Sequence, residues 1–397
     1  MKTAIERLRE NVLPIASAEA PAVDREGRFP TETFVALKAE RLLGVMIPSE
    51  YGGEGLSLLE VAELCSTLGQ ACGSSALIYA MHHIKTSSLV FHASGSAWHE
   101  EFMKRVARDQ LLLGSATTEG GGIGGDLRNS ICSVERRGEG ANETYHLEKE
   151  ATVISYGDQC DAILVTARKD GTAPSSDQVL VAAERHQMNL IKTGGWNSFG
   201  MRGTCSDGFK LRIDAPAEQI FPVPFAEIAA QSMLAHTHIL WSAVWHGIAA
   251  EATNRAQALV RAETRRRSAA AGGSTVASPG VGRLAELMTE LQAMRGAIVG
   301  GIERLERNNQ SADQTATIGF LIDMNALKIT TSRAVVEILN RAMVICGIHG
   351  YRNDTPYSLD RLMRDAHSAP IMINNDRILS NMANLALMNR SGGQLAA

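Results

Sequence analysis

The amino-acid sequence predicts a mainly α-helical protein with a central β domain. Over residues 1–112, apolar side chains such as Ile5 and Leu8 recur at helical spacing. Short apolar or β-branched runs separated by Gly, Asp and Ser then dominate residues 113–224, which is typical of strands. Helical periodicity returns over residues 225–397. Because strands and helices do not alternate, this order argues against a doubly wound α/β sheet.

Turn residues mark the element boundaries within these three predicted domains. The clearest break in the N-terminal domain is the glycine-rich stretch 48–55, which we interpret as a surface turn between helices. The runs that favour strands in the central domain are 111–116, 151–155, 162–167, 178–182 and 209–213. The stretches that favour long helices in the C-terminal domain are 228–267, 281–307, 315–342 and 368–388, with a flexible Ala/Gly/Ser loop at 269–279.

Composition and charge exclude several classes of protein. The 397 residues include 39 basic and 43 acidic side chains, so no overall basic field exists for nucleic acid or an anionic membrane. No apolar run reaches the ~18 residues that a membrane span needs, and the start MKTAIERLRENVLP lacks the apolar core of a secretion signal. Six cysteines without a C-x-x-C pair indicate neither a zinc site nor a disulfide framework. We therefore expect a cytoplasmic protein without a bound metal.

A glycine-rich segment at residues 120–125 has the spacing of a dinucleotide-binding fingerprint. The residues that follow it do not form an apolar helix, and no βαβ unit surrounds it, so we reject a Rossmann site. Glycines after the first predicted strand still allow backbone N–H groups to approach a cofactor closely. A flexible surface loop is the alternative.

Five segments, in the same order along the chain, resemble motifs of the acyl-CoA dehydrogenase superfamily. They are 48–55 (PxxYGGxG), Thr118-Glu119 with the following glycines (TEPxAGSD), 151–161 (KWWITNGxxAD), 196–206 (the GxRG[ST] strand), and 347–351 with 364–366 (GGxGY…RDA). The resemblance spans nearly the whole chain. It implies an N-terminal helical domain, a β-barrel-like middle domain and a C-terminal four-helix bundle, assembled as a homotetramer or homodimer. It also implies FAD, with FMN as the alternative, bound between domains and subunits.

The resemblance further implies which residues contact the flavin. Thr118 would approach the pyrimidine edge of the ring, and Ser155 lies where the family places a hydroxyl that hydrogen-bonds flavin N5. The structural alternative for Ser155 is a strand-end serine bonded to its own backbone. The other flavin-binding positions implied by the matching segments are Gly124, Arg265, Gly347 and Gly350. An arginine run such as the one around Arg265 usually belongs to a solvated helix end, and the functional alternative is a contact with the flavin phosphate of a neighbouring subunit.

Two departures from the family pattern concern the catalytic base. Family dehydrogenases remove the α-proton of a thioester with a carboxylate, but Ile373 falls on the glutamate that follows the RDA motif. Thr237 and His238 fall on the alternative base position in the first long C-terminal helix. A positioned general base contributes about 10²- to 10⁴-fold, so we expect ordinary α,β-desaturation to be nearly abolished. Val153 also replaces the tryptophan that covers the flavin in many dehydrogenases, which suggests weaker retention of oxidised FAD.

These departures resemble the two-component flavin monooxygenases of the same fold, which receive reduced flavin from a separate flavin reductase and react it with O2. Residues 72–83 look like their helix beside the substrate pocket, so we predict that His82 is catalytic and that His83 lies in the pocket. The substrate would be a small aromatic or heteroaromatic molecule, for example an indole-like compound. The remaining predicted catalytic residues are Ser155, Asn374 and Asp376, and the remaining pocket residues are Thr237, His238, Trp241 and Ile373.

Each of these residues also has a purely structural interpretation. His82 suits a satisfied core histidine, Trp241 suits helix packing, and Asn374 and Asp376 suit helix caps. Two other functions remain open from the sequence. One is an acyl-CoA or acyl-carrier dehydrogenase whose base is relocated, for instance to Asp376 or Glu119. The other is a catalytically silent flavin- or acyl-binding member of the family.

Overall fold

The computed structural model describes residues 2–120, 127–273, 278–310 and 317–388. The first helical region consists of α1 Ala4–Arg7, α2 Leu13–Glu26, α3 Thr31–Ala39, α4 Leu58–Ala71, α5 Gly73–His92 and α6 Ala97–Asp109. The strands are β1 Leu113–Ala116, β2 Glu135–Arg137, β3 Thr144–Ile154, β4 Ala162–Arg168, β5 Gln178–Glu184, β6 Met188–Gly194 and β7 Asp207–Pro216. The second helical region consists of α7 Phe225–Ile228, α8 Leu234–Ala270, α9 Gly280–Gln310, α10 Ile318–Tyr351, α11 Asp360–Ala366 and α12 Asn375–Met388. The predicted fold class, mainly helical with a central β region, is confirmed, while the exact domain borders stay a prediction.

α5 lies at the centre of the N-terminal region. Most of its side chains are buried, because the helix packs against α4, β1 and α8. The preceding helix, α4, begins with a capping box in which Ser57 and Glu60 each accept a hydrogen bond from the other's backbone N–H. Polar residues on α5 are therefore enclosed by protein on several sides.

The central region contains two sheets. In the first, β1 pairs parallel with β4, and β4 pairs antiparallel with β5. The second is antiparallel with the order β2-β3-β7-β6. The register between β3 and β7 shifts between Ala151 and Ile154, so β3 is bent just before Ser155. The sequence pattern does not predict β2 and β6, because their mostly exposed residues lack apolar alternation.

The C-terminal region is a bundle in which α8, α9 and α10 pack on one another and α12 packs on α10. α10 continues beyond its predicted end at residue 342 and bends at Gly347, whose φ of 54° is favourable for glycine. Residues 368–374, predicted as helical, instead form turns, and α12 begins only at Asn375. This turn segment connects α11 to α12 and contributes directly to the site described below.

A single hydrophobic cluster extends through the helical and β regions. It includes Phe102 of α6, Ile163 of β4 and Trp245 of α8, all fully buried. Because these regions share one core, side chains that are distant in sequence meet inside the molecule. Among the described residues, no helix combines the length and apolar character required to cross a bilayer.

Candidate active site

Ser155, directly after β3, begins a chain of hydroxyl groups. Its Oγ lies 2.7 Å from Ser206 Oγ, which lies 2.9 Å from Thr204 Oγ1. Thr204 Oγ1 donates its single proton to the carbonyl oxygen of Met201 at 2.9 Å. Thr204 must therefore accept from Ser206, and Ser206 must accept from Ser155. The proton of Ser155 thus points into the chain, and its oxygen retains lone pairs for an outside donor.

The loop 196–206 holds this hydroxyl chain and is not the strand that the family resemblance implies. Met201 has a left-handed φ of 50°, and its N–H donates to Asp365 Oδ1 at 2.6 Å. Close packing excludes side chains at two glycines: a Cβ at Gly200 would lie 2.0 Å from the carbonyl oxygen of Arg364, and one at Gly203 would lie 2.3 Å from Val23 Cγ1. Contacts with both helical regions therefore replace the ladder that a strand would form.

Thr118 lies beside β3, but its hydroxyl is occupied by the protein backbone. Thr118 Oγ1 donates to the carbonyl oxygen of Val153 at 3.0 Å. Thr118, Val153 and Ser155 are all half-buried. Gly124, the other predicted flavin contact in this region, lies outside the described residues.

Lys328 of α10 holds the turn segment 369–375 in place through hydrogen bonds. Lys328 Nζ donates to the carbonyl oxygen of Ala369 at 3.2 Å, to that of Ile373 at 2.6 Å and to Asn375 Oδ1 at 2.7 Å. These three acceptors use all three ammonium protons, while burial lowers the pKa of Lys328 to about 8. Ile373 has a left-handed φ of 50°, which is unusual for a β-branched residue. Strained residues of this kind cluster at functional sites.

His238, Trp241 and Trp245 lie on one face of α8, as their spacing of three and four residues requires. His238 Nδ1 lies 3.0 Å from the carbonyl oxygen of Met324 and must donate to it, which leaves Nε2 as an acceptor. Within the described residues, His238 Nε2 and the indole N–H groups of both tryptophans are buried without a hydrogen-bond partner. Lys328 Nζ lies 5.7 Å from the Trp245 ring centroid. This face therefore presents polar atoms that the protein itself leaves unpaired.

His82 occupies a different environment from His238. His82 Nδ1 accepts from Leu113 N–H at 3.0 Å, so Nε2 carries the proton and donates to the carbonyl oxygen of Leu43 at 2.7 Å. Both nitrogens are used in tying α5 to neighbouring segments, and burial lowers the pKa to about 4. His83 is also fully buried, with its ring 4.4 Å from that of Tyr79. The geometry favours the structural interpretation of His82. Within the described residues neither ring nitrogen of His83 has a hydrogen-bond partner, and its place in a pocket stays a prediction.

The other predicted residues are dispersed. Asn374 is exposed, and its Oδ1 accepts from Asp376 N–H at 2.8 Å at the start of α12, as a helix cap does. Asp376 is also exposed. Thr237 Oγ1 donates to the carbonyl oxygen of Met233 within its own helix. Arg265 is exposed and lies about 42 Å along α8 from Thr237 at 1.5 Å per residue, so it serves no site shared with Thr237 in the same chain.

The two predicted glycines of α10 have clear backbone roles. Gly347 provides the bend described above. Gly350 allows close packing, because a Cβ there would lie 2.6 Å from that of Cys346. Neither observation tests their predicted contact with a flavin, which stays a prediction.

Three residues of the site are not among those predicted: Ser206, Lys328 and Asn375. One signal for Lys328 was available in the sequence. It falls on the apolar stripe of α10 that includes Met324 and Val335, where a lysine requires an internal partner. Ser206 has no such signal, because its partner Ser155 is 51 residues away.

The two parts of the site are connected through α11. Asp365 accepts from Met201 in the loop of the hydroxyl chain, and the turn segment 369–375 begins four residues later. A flavin ring requires apolar walls and hydrogen-bonding groups at its edge. Half-buried Val153 and Ile373 supply apolar surface, and Ser155 and the unpaired indole N–H groups supply hydrogen bonds. These residues fit a flavin.

Comparison with known proteins identifies relatives across the whole chain. It is 23% identical to cyclohex-1-ene-1-carbonyl-CoA dehydrogenase of Syntrophus aciditrophicus (strain SB) over 389 residues, which cover 98% of this chain and 89% of that protein. FMN-bound TdsC from Paenibacillus sp. A11-2, a dibenzothiophene monooxygenase, superposes with a TM-score of 0.82 at 18% identity, covering 98% of both chains. KijD3 in complex with dTDP superposes with a TM-score of 0.80 at 21% identity, covering 97% and 96%. TdsC has also been solved with FMN and indole together.

Family models match both helical regions of the chain. The acyl-CoA dehydrogenase N-terminal domain matches residues 2–110, and the C-terminal domain matches residues 228–387. Together they cover more than half of the chain and agree with the helical, β, helical order of the fold. The chain therefore belongs to the acyl-CoA dehydrogenase superfamily of flavin-dependent oxidoreductases.

Proposed function

We propose that this chain is a monooxygenase that receives reduced flavin from a separate reductase and uses O2 to oxidise a small aromatic or heteroaromatic substrate. The observation that carries the proposal is the turn segment 369–375. It carries the hydrocarbon side chain of Ile373, the residue that the motif resemblance aligns with the family glutamate, and Lys328 donates to its carbonyl oxygen. Proton removal from carbon would require a carboxylate there.

Two of the candidate carboxylates, Glu119 and Asp365, are committed to other contacts. Glu119 accepts from Ser130 Oγ, Ile131 N–H and Cys132 N–H. Although burial raises its pKa, Lys149 and these hydrogen bonds hold that pKa below the usual value, so Glu119 is a poor proton acceptor. Asp365 accepts from Met201, and Asp376 is exposed at the start of α12. These contacts disfavour a relocated carboxylate base.

The direction of the hydroxyl chain supports delivery of flavin in the reduced state. Reduced flavin carries a proton on N5 and donates there, whereas N5 of oxidised flavin only accepts. Because the proton of Ser155 is used by Ser206, the free side of the Ser155 oxygen accepts. Ser155 would therefore hydrogen-bond the reduced ring better than the oxidised ring.

His238 suits a substrate N–H or O–H group. Its Nδ1–H is held by Met324, so Nε2 has a lone pair available as hydrogen-bond acceptor or general base. Burial lowers the pKa of His238 to about 4, and nearby Lys328 acts in the same direction. The ring therefore stays neutral at pH 7 and can take up a proton only transiently.

The overall reaction places one atom of O2 in the product and releases the other as water. Reduced flavin supplies two electrons and activates O2, and the substrate supplies the other two electrons. The chain's contribution is to orient the substrate through His238, to hold N5 through Ser155 and to exclude water with Ile373, Trp241 and Trp245. The fold is shared with TdsC, a dibenzothiophene monooxygenase, which supports the proposal. FAD and FMN both suit the site, and assembly as a homotetramer or homodimer stays a prediction.

The test supplies the protein with reduced FMN or FAD from an added reductase, under ¹⁸O2, with indole and related aromatics. We expect ¹⁸O in the product. His238→Asn keeps a donor for Met324 but removes the Nε2 acceptor, so we expect turnover to fall about 10²-fold or more. His238→Gln, with a polar atom nearer Nε2, is the matched comparison and should lose less.

The sequence relatives favour one alternative, an acyl-CoA dehydrogenase. Anaerobic mixing of the oxidised holoprotein with a panel of acyl-CoA thioesters decides between the two activities. Flavin bleaching by a thioester in the wild type would overturn the proposal. Bleaching only in Ile373→Glu would agree with it. A protein that binds flavin but gives neither reaction would be the catalytically silent member.

A further inference from the structure

Lys85 of α5 is a buried amine without a carboxylate partner. Its Nζ lies 3.2 Å from Met233 Sδ, the sole hydrogen-bond acceptor that the described residues provide for it. The residue is only 4% exposed, and burial lowers its pKa to about 8. A thioether sulfur is a weak acceptor and carries no charge, so it does not compensate for the lost hydration of an ammonium group. An anion at this position would provide that compensation.

Two histidines on the same elements, His92 of α5 and His236 of α8, contact Ser232, the neighbour of Met233 in the chain. His92 Nε2 donates to Ser232 Oγ at 3.0 Å, because that hydroxyl itself donates to the carbonyl oxygen of Ile228. His236 Nδ1 donates to the carbonyl oxygen of Ser232 at 2.8 Å. Burial lowers the pKa of both rings, that of His236 to about 4, so both are neutral at pH 7. The two histidines therefore add no charge to that of the ammonium group, and the acidic side chain near them is Glu227 of α7, which acts on His92.

The position of the cluster relates it to the candidate active site. Ser232 and Met233 end a π-helical turn, Ala229–Met233, which packs against α5 and precedes α8. Single π-helical turns are frequent at functional sites. Thr237 is one turn further along and donates to the carbonyl oxygen of Met233 at 2.6 Å. His238 lies about 7.5 Å further along the helix axis than Met233 and about 140° around it, so a ligand at Met233 would have to extend around α8 to reach His238.

We infer that Lys85 is the binding residue for the carboxylate of a small organic monoanion, which lies between α5 and the start of α8. A single ammonium group balances a single negative charge, and the neutral histidines leave no second charge for a phosphate dianion. The identity of the monoanion rests on the proposed function: if that function holds, the monoanion is the substrate and is an aromatic carboxylate. The carboxylate would then anchor the molecule at Lys85 while its ring extends towards His238.

The experiment measures ligand binding to the flavin-free protein by calorimetry and thermal shift. Benzoate and indole-3-carboxylate are compared with their uncharged amides in the wild type and in Lys85→Met, which keeps an unbranched side chain one atom shorter and without the charge. We expect the carboxylates to bind at least tenfold more tightly than the amides in the wild type. Lys85→Met should weaken carboxylate binding by about ten- to a hundredfold and leave amide binding unchanged. Lys104→Met, at an exposed lysine of α6, is the control and should bind like the wild type.

Stability without ligand provides a second readout. Because Lys85→Met removes an uncompensated buried amine, the melting temperature should stay equal or rise, whereas loss of a structural lysine would lower it. Three results would each overturn the assignment. The wild type could bind benzoate and benzamide equally well, Lys85→Met could bind benzoate as tightly as the wild type does, or the wild type could bind inorganic phosphate more tightly than benzoate. The binding experiment uses neither flavin nor O2, so it is independent of the oxygenation test. If carboxylates bind in a Lys85-dependent way but no oxygenation is found, only the proposed function is wrong. Oxygenation without such binding would remove only this site.

Discussion

His82 and His238 are both fully buried and neutral, yet only one of them is available for chemistry. Leu113 and Leu43 use both nitrogens of His82. His238 Nδ1 donates to the carbonyl oxygen of Met324, and its Nε2 has no partner in the described structure. A histidine can act as a base only through a ring nitrogen that is not already hydrogen-bonded. The partners of each ring therefore show that His82 has a structural role and that His238 is available to react. Our proposal therefore assigns to His238 the catalytic role that the sequence predicted for His82.

At the same scale, the hydroxyl chain predicts a preference between the redox states of the flavin. Ser206→Ala removes the acceptor for the Ser155 proton, which then becomes free to donate to N5 of oxidised flavin. We expect the ratio of the dissociation constants for oxidised and reduced FMN to fall by up to about tenfold, or about 30 mV in potential for a two-electron couple. Anaerobic titration with both forms measures this ratio. Ser198→Ala in the same loop, where the hydroxyl donates to Gly200, is the control and should not change it.

The turn segment 369–375 behaves as an element whose conformation depends on a neighbour. Its backbone forms turns through the N–H groups of Ile371, Met372 and Asn375, but Ile373 takes a strained left-handed conformation. Lys328 compensates with three hydrogen bonds from α10. The conformation of this segment thus depends on a buried cation of α10 as well as on its local turns.

Replacing Lys328 tests this dependence. Lys328→Met leaves two carbonyl groups and Asn375 Oδ1 with fewer donors, so we expect the free energy of unfolding to fall by about 2 kcal/mol. Hydrogen exchange of amides 371–375 should also accelerate relative to α8, because the segment opens locally. Exposed Lys169→Met is the surface control. Unchanged exchange in Lys328→Met would mean that the segment holds its shape without this lysine.

For the whole molecule, burial of histidines predicts sensitivity to acid. His82, His236 and His238 each have a pKa lowered to about 4 by burial, against about 6.5 in an unfolded chain. Between these values the unfolded chain binds more protons, so the free energy of unfolding falls with decreasing pH, by up to about 1.4 kcal/mol per pH unit for each histidine. Asp365, whose pKa burial raises to about 6, acts in the opposite direction, but burial also lowers the pKa values of His83 and His99, so it is one group against five.

Urea denaturation between pH 7.5 and 5.0 measures this slope. His236→Asn keeps a donor for Ser232 and removes one titrating group, so its slope should decrease by about one proton's contribution. His186→Gln changes an exposed histidine and should retain the wild-type slope. A wild-type stability that stays flat from pH 6.5 to 5 would contradict the prediction.

Local patterns sufficed for the helical, β, helical order and, through the five matching segments, for the superfamily. They failed where an element depends on a distant contact. Residues 196–206 form a loop because Gly200 and Gly203 pack against other elements, and residues 368–374 are turns because Lys328 holds their carbonyl groups. The exposed strands β2 and β6 carry no apolar pattern to read.

Residue types and their spacing decide which segments become helices or strands, because propensity and periodicity act over a few neighbouring positions. The free lone pair of His238, the direction of the Ser155 chain and the uncompensated amine of Lys85 depend on partners 51 to 148 residues away. Such pairings are settled only when the shared core brings the regions together. The chemistry of this site is accordingly a property of the packed molecule, since hydrogen bonding and burial, rather than residue identity, determine which polar groups remain free to react.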